Sequence, residues 1–262
     1  MTTDIKGLEF IEIEEAAKSA PAPRPRKHIE LWQAYLWWDE LMGMRMKHTL
    51  RLSACARGVT KMDASFEEQI IEWLTTMEKD SKKVMIGIGK STGPIWEWLT
   101  AIHGIGDHTA AKLIAQFDDP GRFATVSKWW RFSGWAVIDG KRERNVKGEK
   151  SHYNRKLKSE CYLVATSFIK QQTPVYVDIY YTEKARLRSE HPEPEPSPES
   201  AWPTKYTDSH IHRMAMRKMV KVFLCHFWVQ WRTIEGLPVS LPYAVTHVEG
   251  HEHYIEPQAQ VV

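Results

Sequence analysis

Hydrophobic residues recur every three or four positions along most of the chain, which is the period of an α-helix. The first such stretch runs from Leu31 to about Ala56. A second begins at Ser65, which we interpret as the start of a capping box. Its predicted packing face consists of Phe66, Ile70, Leu74 and Met77. The two stretches predict a pair of long antiparallel helices, which also offers a surface for self-association.

Further helices are predicted along the rest of the chain. The glycine-rich run 86–90 indicates a break, after which Ser91 or Thr92 caps a new helix. Three more helices are expected over residues 153–171, 174–188 and about 208–235. Residues 135–146 have strand character, with Asp139-Gly140 as a tight turn. We therefore expect a mainly α fold, in which the antiparallel long-helix pair is followed by a helical domain with at most one small β-hairpin.

Changes in composition divide the chain into four predicted segments. They are a flexible acidic and proline-rich arm at 1–28, the coiled-coil-like pair at 29–90, a second helical domain at 91–245 and a flexible tail at 246–262. Within the second domain, prolines alternate with polar residues at 190–206. Because proline removes backbone donors and favours extended chain, this stretch predicts an exposed insertion.

Charge and cysteine content narrow the class of protein. The 36 Lys and Arg residues nearly balance the 33 Asp and Glu residues, so a nucleic-acid partner must be recognised through local clusters. Three widely separated cysteines fit neither a disulfide scaffold nor a thiolate metal site. The acidic start does not resemble a signal peptide, and no apolar run approaches the roughly 20 residues of a membrane span. We expect a cytoplasmic protein without a membrane partner, associated with the nucleoid if the host is bacterial or archaeal.

Tryptophan is abundant, with twelve residues in the chain. Most fall in apolar stripes of the predicted helices, so core packing is the default interpretation and base stacking the alternative. The tryptophans in these stripes include Trp32, Trp37, Trp38, Trp73, Trp96 and Trp98.

The strongest local signal is the stretch LTAIHGIGDHTAAKLIAQF at 99–117, which predicts a helix, a glycine turn and a second helix. Gly104 and Gly106, on either side of Ile105, permit a tight turn with outward backbone N–H groups. The second helix presents its positive end at the same point, so a phosphate can bind there. Thr109 and Lys112, one turn apart, would add side-chain contacts. The pattern resembles the helix-hairpin-helix family; a purely structural turn is the alternative.

A basic segment follows between Asp139 and Lys158, with an excess of five positive charges. Beside a phosphate-binding turn it is typical of a surface that follows a nucleic-acid backbone, although a solvated face with no partner is also possible. The predicted DNA-binding side chains of this segment are Lys141, Arg142, Arg144, Lys147, Arg155 and Lys156.

Spaced landmarks from the glycine turn onward extend the comparison to a larger family. They are DPGRF at 119–123, SG at 133–134, NRKL at 154–157 and TPV at 173–175. Over roughly residues 30–245 the chain resembles the coiled-coil and transposase domains of the DEDD insertion-sequence transposases, the IS-one-ten family. The resemblance implies DNA binding in transposition or recombination, and structured RNA as a further partner because the family's complexes use a guide RNA.

Two departures bear on catalysis. The family's RuvC-like nuclease domain, with its acidic metal ligands, would precede residue 30, where the sequence has only the short arm. A divalent metal is therefore expected only with a separate RuvC-like partner, and no cofactor is expected in this chain. The family's nucleophilic serine precedes a glycine in the basic turn, where this chain has Asp139. Ser133 and Ser151 are the nearby substitutes, but neither has a recognisable activating base.

Three hypotheses for function follow. The first is a DNA-binding protein related to the transposases, acting in transposition or its regulation without full catalytic capacity alone, as a homodimer or larger oligomer through the long helices. The second is an active serine recombinase subunit that needs a separate nuclease. The third is a helical protein-interaction module. Outside these, His247, His251 and His253 form a histidine-rich tail without an evident fourth metal ligand, so we predict no metal site.

Overall fold

The predicted mainly α architecture is confirmed. The computed structural model describes residues 26–138, 141–142, 147–148, 151–197, 200–240 and 255. These residues form eight α-helices: α1 (Ile29–Ala56), α2 (Ala64–Lys90), α3 (Pro94–Ala101), α4 (Asp107–Phe117), α5 (Val126–Phe132), α6 (Arg155–Gln171), α7 (Tyr176–Glu190) and α8 (Asp208–Ile234). A 3-10 turn, Pro120–Arg122, lies between α4 and α5.

Helices α1 and α2 form the expected long hairpin, but α2 differs from the prediction at both ends. Its N-cap is Asp63, whose carboxylate accepts the amides of Ser65 and Phe66, so the capping box predicted at Ser65 is wrong. The helix then continues through the glycine-rich run to Lys90. Gly89 lies where an added Cβ would come within 2.5 Å of the Trp96 ring, so this glycine permits close helix packing and does not break the helix.

Helix α4 lies at the centre of the molecule, because every residue from Ala110 to Phe117 is buried. Its last side chain, Phe117, stacks on Trp129 of α5 with ring centroids 3.7 Å apart, and Phe227 of α8 meets both rings edge-on. The same apolar core includes Tyr35 of α1, so the long hairpin and the helices that follow it share one core. Burial of large aromatic rings in such geometries is a major source of stability.

Two antiparallel two-stranded ribbons accompany the helices, in place of the single hairpin allowed by the prediction. One pairs β1 (Val137–Ile138) with β2 (Lys141–Arg142), as expected; its turn residues Asp139 and Gly140 lie outside the described residues. The other pairs β3 (Glu195–Ser197) with β4 (Ser200–Lys205) inside the proline-rich insertion. An isolated ribbon has two outer edges that need no donors, which explains how a strand pair accommodates prolines, although its register is irregular.

Not all tryptophans predicted for the core are buried. Trp38, Trp96 and Trp98 are, whereas the side chains of Trp37 and Trp73 are 43% and 61% exposed. Both exposed rings lie on the long hairpin. The packing face predicted for α2 is also wrong, because Phe66 and Met77 are 55% and 47% exposed. Apolar periodicity alone does not tell which stripe of the hairpin packs inward. Within the described ranges, no helix combines the length and the apolar character required to cross a membrane.

We expect Phe117→Ala to lower the free energy of unfolding by about 3–5 kcal/mol, because it leaves a cavity beside the rings of Trp129 and Phe227. Leu163→Ala, at a side chain of α6 that is 56% exposed, is the matched control and should change it by less than about 0.5 kcal/mol. Urea unfolding measures both values. Equal decreases in the two variants would contradict the central position of Phe117.

Candidate functional site

The turn between α3 and α4 is tight and is held in place by two buried side chains. Ile102 and Ile105 are both 4% exposed, and the amide of Ile105 donates to the carbonyl of Ile102 at 3.0 Å. Between them Gly104 adopts φ +92°, a conformation that favours glycine. The two isoleucines therefore hold the turn in the core while its glycines remain closer to the surface.

Two hydroxyl groups fix the turn from the opposite side. Thr173 Oγ1 donates to the carbonyl of His103 at 2.8 Å, and Ser167 Oγ donates to the carbonyl of Gly104 at 2.7 Å. A Cβ at position 104 would come within 3.2 Å of both hydroxyl oxygens. The turn's carbonyls are thus bound by protein groups from α6 and the loop after it.

The N-terminus of α4 is left open. Its N-cap, Gly106, is exposed, has an ordinary φ of −86° and would accept a Cβ without any contact within 4 Å. No side chain caps the first turn, so its amides and the positive end of the helix dipole are available to an anion. Asp107, in that first turn, opposes this potential, and its carboxylate lies 3.8 Å from Lys90 Nζ.

Two lysines that no local sequence pattern indicated lie beside this turn. Lys90 comes from the last turn of α2 and keeps 60% of its side chain exposed while facing Asp107. Lys82, two turns earlier on α2, is exposed and close enough to His108 to lower the pKa of that imidazole. Because both lysines are far from the turn in sequence, the pattern at 99–117 does not indicate them. The sequence signal that could have found them is the cluster of lysines at the end of α2.

Lys112 is not free to contact a phosphate, so that prediction is wrong. The residue is 7% exposed, and its Nζ lies 2.7 Å from Glu160 Oε2 and 5.2 Å from the centre of the Trp38 ring. A lysine on the buried part of a helix must find a carboxylate inside the protein. Thr109, one turn earlier, is half-buried at the edge of the turn.

His108 links the turn to the long hairpin. Its ring meets Trp38 edge-on, with centroids 4.6 Å apart. Burial, followed by the positive charges of Lys112 and Lys82, lowers the pKa of His108 to about 3. The imidazole is therefore neutral near pH 7 and adds no positive charge for a phosphate.

The predicted basic segment is described in part. Lys141 and Arg142 form strand β2, while Arg144 lies outside the described residues. Lys147 and Arg155 are exposed. Lys156 is also exposed but forms an ion pair with Asp39 of α1. The N-cap of α6 is Asn154, and no acidic side chain lies in its first turn, so Arg155 and Lys156 lie at the positive end of a helix.

The turn and the basic segment lie at opposite ends of α6. Arg155 begins that helix, whereas Ser167, which binds the turn, lies twelve residues later. At 1.5 Å per residue the separation along the helix is about 18 Å. The turn and the start of α6 thus both lie on the neighbouring helices α4 and α6, but they are too far apart to form one cluster.

Basic residues of α8 are engaged within the protein. Lys218 binds Glu183 at 2.7 Å. Lys221 Nζ lies 4.1 Å from the centre of the Trp130 ring, and burial, then the charge of Arg217, lowers its pKa. These basic side chains thus stabilise packing between α5, α7 and α8.

Both candidate nucleophiles donate their hydroxyl groups to backbone carbonyls. Ser133 is fully buried, and its hydroxyl donates to the carbonyls of Trp129 and Trp130. Ser151 donates to the carbonyl of Tyr153 at 3.0 Å. Among the residues that the structure describes, no three His, Cys, Asp or Glu side chains form a metal-binding group. Asp139 and the tail histidines His247, His251 and His253 fall outside that part of the chain.

No protein-family model and no curated protein matches the chain.

The change in stability on acidification should depend on His108. Because its pKa is lowered in the folded protein, the unfolded chain binds more protons between about pH 6.5 and 3, so stability contributed at pH 7 declines as the pH falls through that range. We expect the free energy of unfolding to fall less from pH 7.5 to 5 in His108→Gln than in the unsubstituted protein, measured by urea unfolding.

Both proteins keep His28, His212 and His226, whose pKa values are also lowered chiefly by burial. The contributions of these three residues to the pH dependence of stability therefore cancel between the variant and the unsubstituted protein. His152→Gln, at an exposed position, serves as the control and should keep the original pH dependence. If His108→Gln also kept it, the imidazole would not be held neutral by its site.

Proposed function

We propose that this chain binds the phosphate backbone of DNA through the α3–α4 turn and acts in DNA transposition or recombination, or in its regulation. The proposal joins the geometry of the turn to the resemblance to insertion-sequence transposases. This chain's part is to bind and position nucleic acid.

The observation that carries the proposal is the open N-terminus of α4 at Gly106. The turn's carbonyls are bound from behind by Ser167 and Thr173, whereas no side chain caps the helix in front. Lys90 and Lys82 lie beside it. An uncapped helix start with nearby cations binds an anion without reading a base, which suits contact with a phosphate.

Spacing favours an extended ligand. The turn and the start of α6 are about 18 Å apart along the helix. A DNA duplex carries one phosphate charge per about 1.7 Å of its axis, so both regions can contact one duplex. A single bound phosphate would use the turn alone.

We expect Gly106→Asp to weaken binding to duplex DNA by at least about tenfold, because it adds a negative charge and a side-chain acceptor at the phosphate position. The substitution meets no steric obstacle, and aspartate is a good N-cap, so the fold should not be destabilised. Fluorescence anisotropy with labelled duplex, and thermal unfolding as the check on folding, measure the two effects.

Gly43→Asp is the matched control. This glycine lies on α1, and a Cβ there also meets nothing within 4 Å. The Gly43→Asp variant should bind duplex DNA as tightly as the unsubstituted protein does. Single-stranded DNA and a structured RNA are measured in parallel, since tighter binding to RNA would redirect the proposal. The proposal fails if none of the three is bound, or if Gly106→Asp binds duplex unchanged.

Salt dependence tests the lysines of α2. Each phosphate that a lysine neutralises contributes about −0.9 to the slope of log K against log salt concentration. We therefore expect Lys82→Gln and Lys90→Gln each to make that slope less negative by about this amount. Lys61→Gln, exposed in the loop between α1 and α2, should leave the slope unchanged. Equal slopes in all four proteins would exclude the two lysines from the interface.

A further inference from the structure

A small cavity opens beside the α3–α4 turn. It has a volume of about 160 Å³ and lies between the end of α3, the loop after α6 and helix α8. Its floor consists of the buried residues Trp98, Ile102, Thr173, Tyr176 and His226. Ala101 and Pro174, which also line it, are exposed. The cavity therefore opens to solvent past these two residues.

The size of the cavity suits one planar ring. A cavity of about 150 Å³ with apolar walls holds one benzene molecule. The cavity beside the turn therefore accommodates one six-membered ring, whereas the fused rings of a purine would extend out of it. Trp98 and Tyr176 supply aromatic surfaces against which such a ring can stack.

The aromatic walls are held in place from outside the cavity. The Trp98 ring stacks on Phe227, with centroids 6.1 Å apart, and the Tyr176 ring stacks on Phe168 at 4.7 Å. All four side chains are buried. Binding of a ring therefore requires little ordering of the walls, which favours affinity.

The hydroxyl groups of the floor have acceptor capacity left. Burial lowers the pKa of His226, so its imidazole is neutral near pH 7. Its Nε2 donates to the carbonyl of Ile255 at 2.8 Å, so Nδ1 accepts the hydroxyl of Tyr176 at 3.1 Å. The hydroxyl of Thr173 donates to the carbonyl of His103. Each hydroxyl has used its one proton and keeps a lone pair for a ligand that donates.

The end of α3 adds to this preference for a donor. The helix ends at Ala101, and the carbonyls of a last helical turn lack partners within the helix and carry partial negative charge. Ala101 and Ile102 both line the cavity. Among single-ring bases, cytosine has an amino group where thymine has a carbonyl oxygen, and thymine also carries a methyl group. Cytosine is therefore the better match.

The backbone is strained at the mouth of the cavity. Val175 has φ +67° and ψ −56°, and the amide of Tyr176 donates to the carbonyl of Pro174 at 2.8 Å. These values define a γ-turn of the rare, strained kind. A β-branched residue with such a φ is an outlier, and strain of this kind is concentrated at ligand sites.

We propose that this cavity binds an unpaired cytosine base of the nucleic acid whose phosphate lies at Gly106. The inference rests on the proposed function and adds the base that accompanies the phosphate. His103, at the cavity, is three residues from Gly106, a separation of at most about 11 Å. Phosphates follow each other about every 3.4 Å along one DNA strand. The base and the phosphate therefore belong to nucleotides within about three positions of each other.

The first test compares labelled duplexes that each carry one unpaired nucleotide, since an unpaired base requires the least energy to leave the stack. Fluorescence anisotropy should show unpaired dC bound about tenfold more tightly than an abasic residue at the same position, because one stacked base contributes this much or more. Unpaired dT should bind less tightly than dC. Unpaired dA should bind no more tightly than the abasic residue.

Ala101→Phe tests the cavity by placing a large side chain at its mouth. Because Ala101 is the exposed last residue of α3, the fold should tolerate the change. The variant should lose the preference for unpaired dC and still bind a fully paired duplex as tightly as the unsubstituted protein. Ala56→Phe, at the exposed last residue of α1, is the matched control and should keep the preference.

Tyr176→Phe tests the hydroxyl acceptor. The variant keeps the ring, so unpaired dC should still bind more tightly than the abasic residue. The preference for dC over dT should fall at least about threefold, because the acceptor for the amino group is lost. The variant also removes the hydrogen bond to His226, so thermal unfolding is measured beside it. A loss of stability alone would not change the ratio of the two affinities.

The outcomes separate this inference from the proposed function. Equal binding of the dC and abasic duplexes, with the paired duplex still bound, would overturn the inference and leave the proposed function intact. If no DNA is bound, the proposed function fails, and free cytidine is titrated with saturation-transfer NMR as the readout. Cytidine binding that Ala101→Phe abolishes would support a nucleobase site whose source is a free nucleoside. Absence of cytidine binding would overturn the base site as well.

Discussion

The burial of α4 on all sides is the constraint on which the other helices depend. A helix whose residues from Ala110 to Phe117 are all enclosed needs neighbours in every direction: the end of α2 against its small alanines, α6 along its length and the aromatic layer of α5 and α8 at its end. Burial also requires the polar groups of α4 to find partners inside the protein. The buried Lys112 of α4 has its counter-ion, Glu160, on α6, and this ion pair joins the two helices.

The same enclosure positions the turn before α4. Because the helix cannot shift, its first residues emerge at a fixed place, next to the basic end of α2 and above the hydroxyl groups of α6 and the loop after it. The site we propose is therefore assembled from three separate parts of the chain, of which one, the glycine turn, carries a recognisable local pattern. The basic segment at the start of α6 lies farther from the turn than the order of residues along the chain implied.

Local patterns predicted most helices, because periodicity and turn residues act within a few positions of each other. The mainly α fold, the long hairpin and the two helices joined by a glycine turn at 99–117 all follow from such patterns. What failed depends on partners distant in sequence. Glu160 buries Lys112, and Trp96 accounts for Gly89 inside a continuous helix. Ser133 is unavailable as a nucleophile because it binds backbone carbonyls of its own helix, as a serine at a helix end readily does.

The two glycines of the turn are retained for different reasons, and this difference makes the record of natural variation informative. Gly104 is required by its backbone angle and by the hydroxyl groups beneath it, so any descendant that keeps the fold will keep it. Gly106 has an ordinary backbone angle and open space, and serine, aspartate or asparagine would cap the helix better. Selection for folding alone would let position 106 drift towards those residues. A lineage in which both glycines persist equally would therefore record pressure from a ligand at the second one.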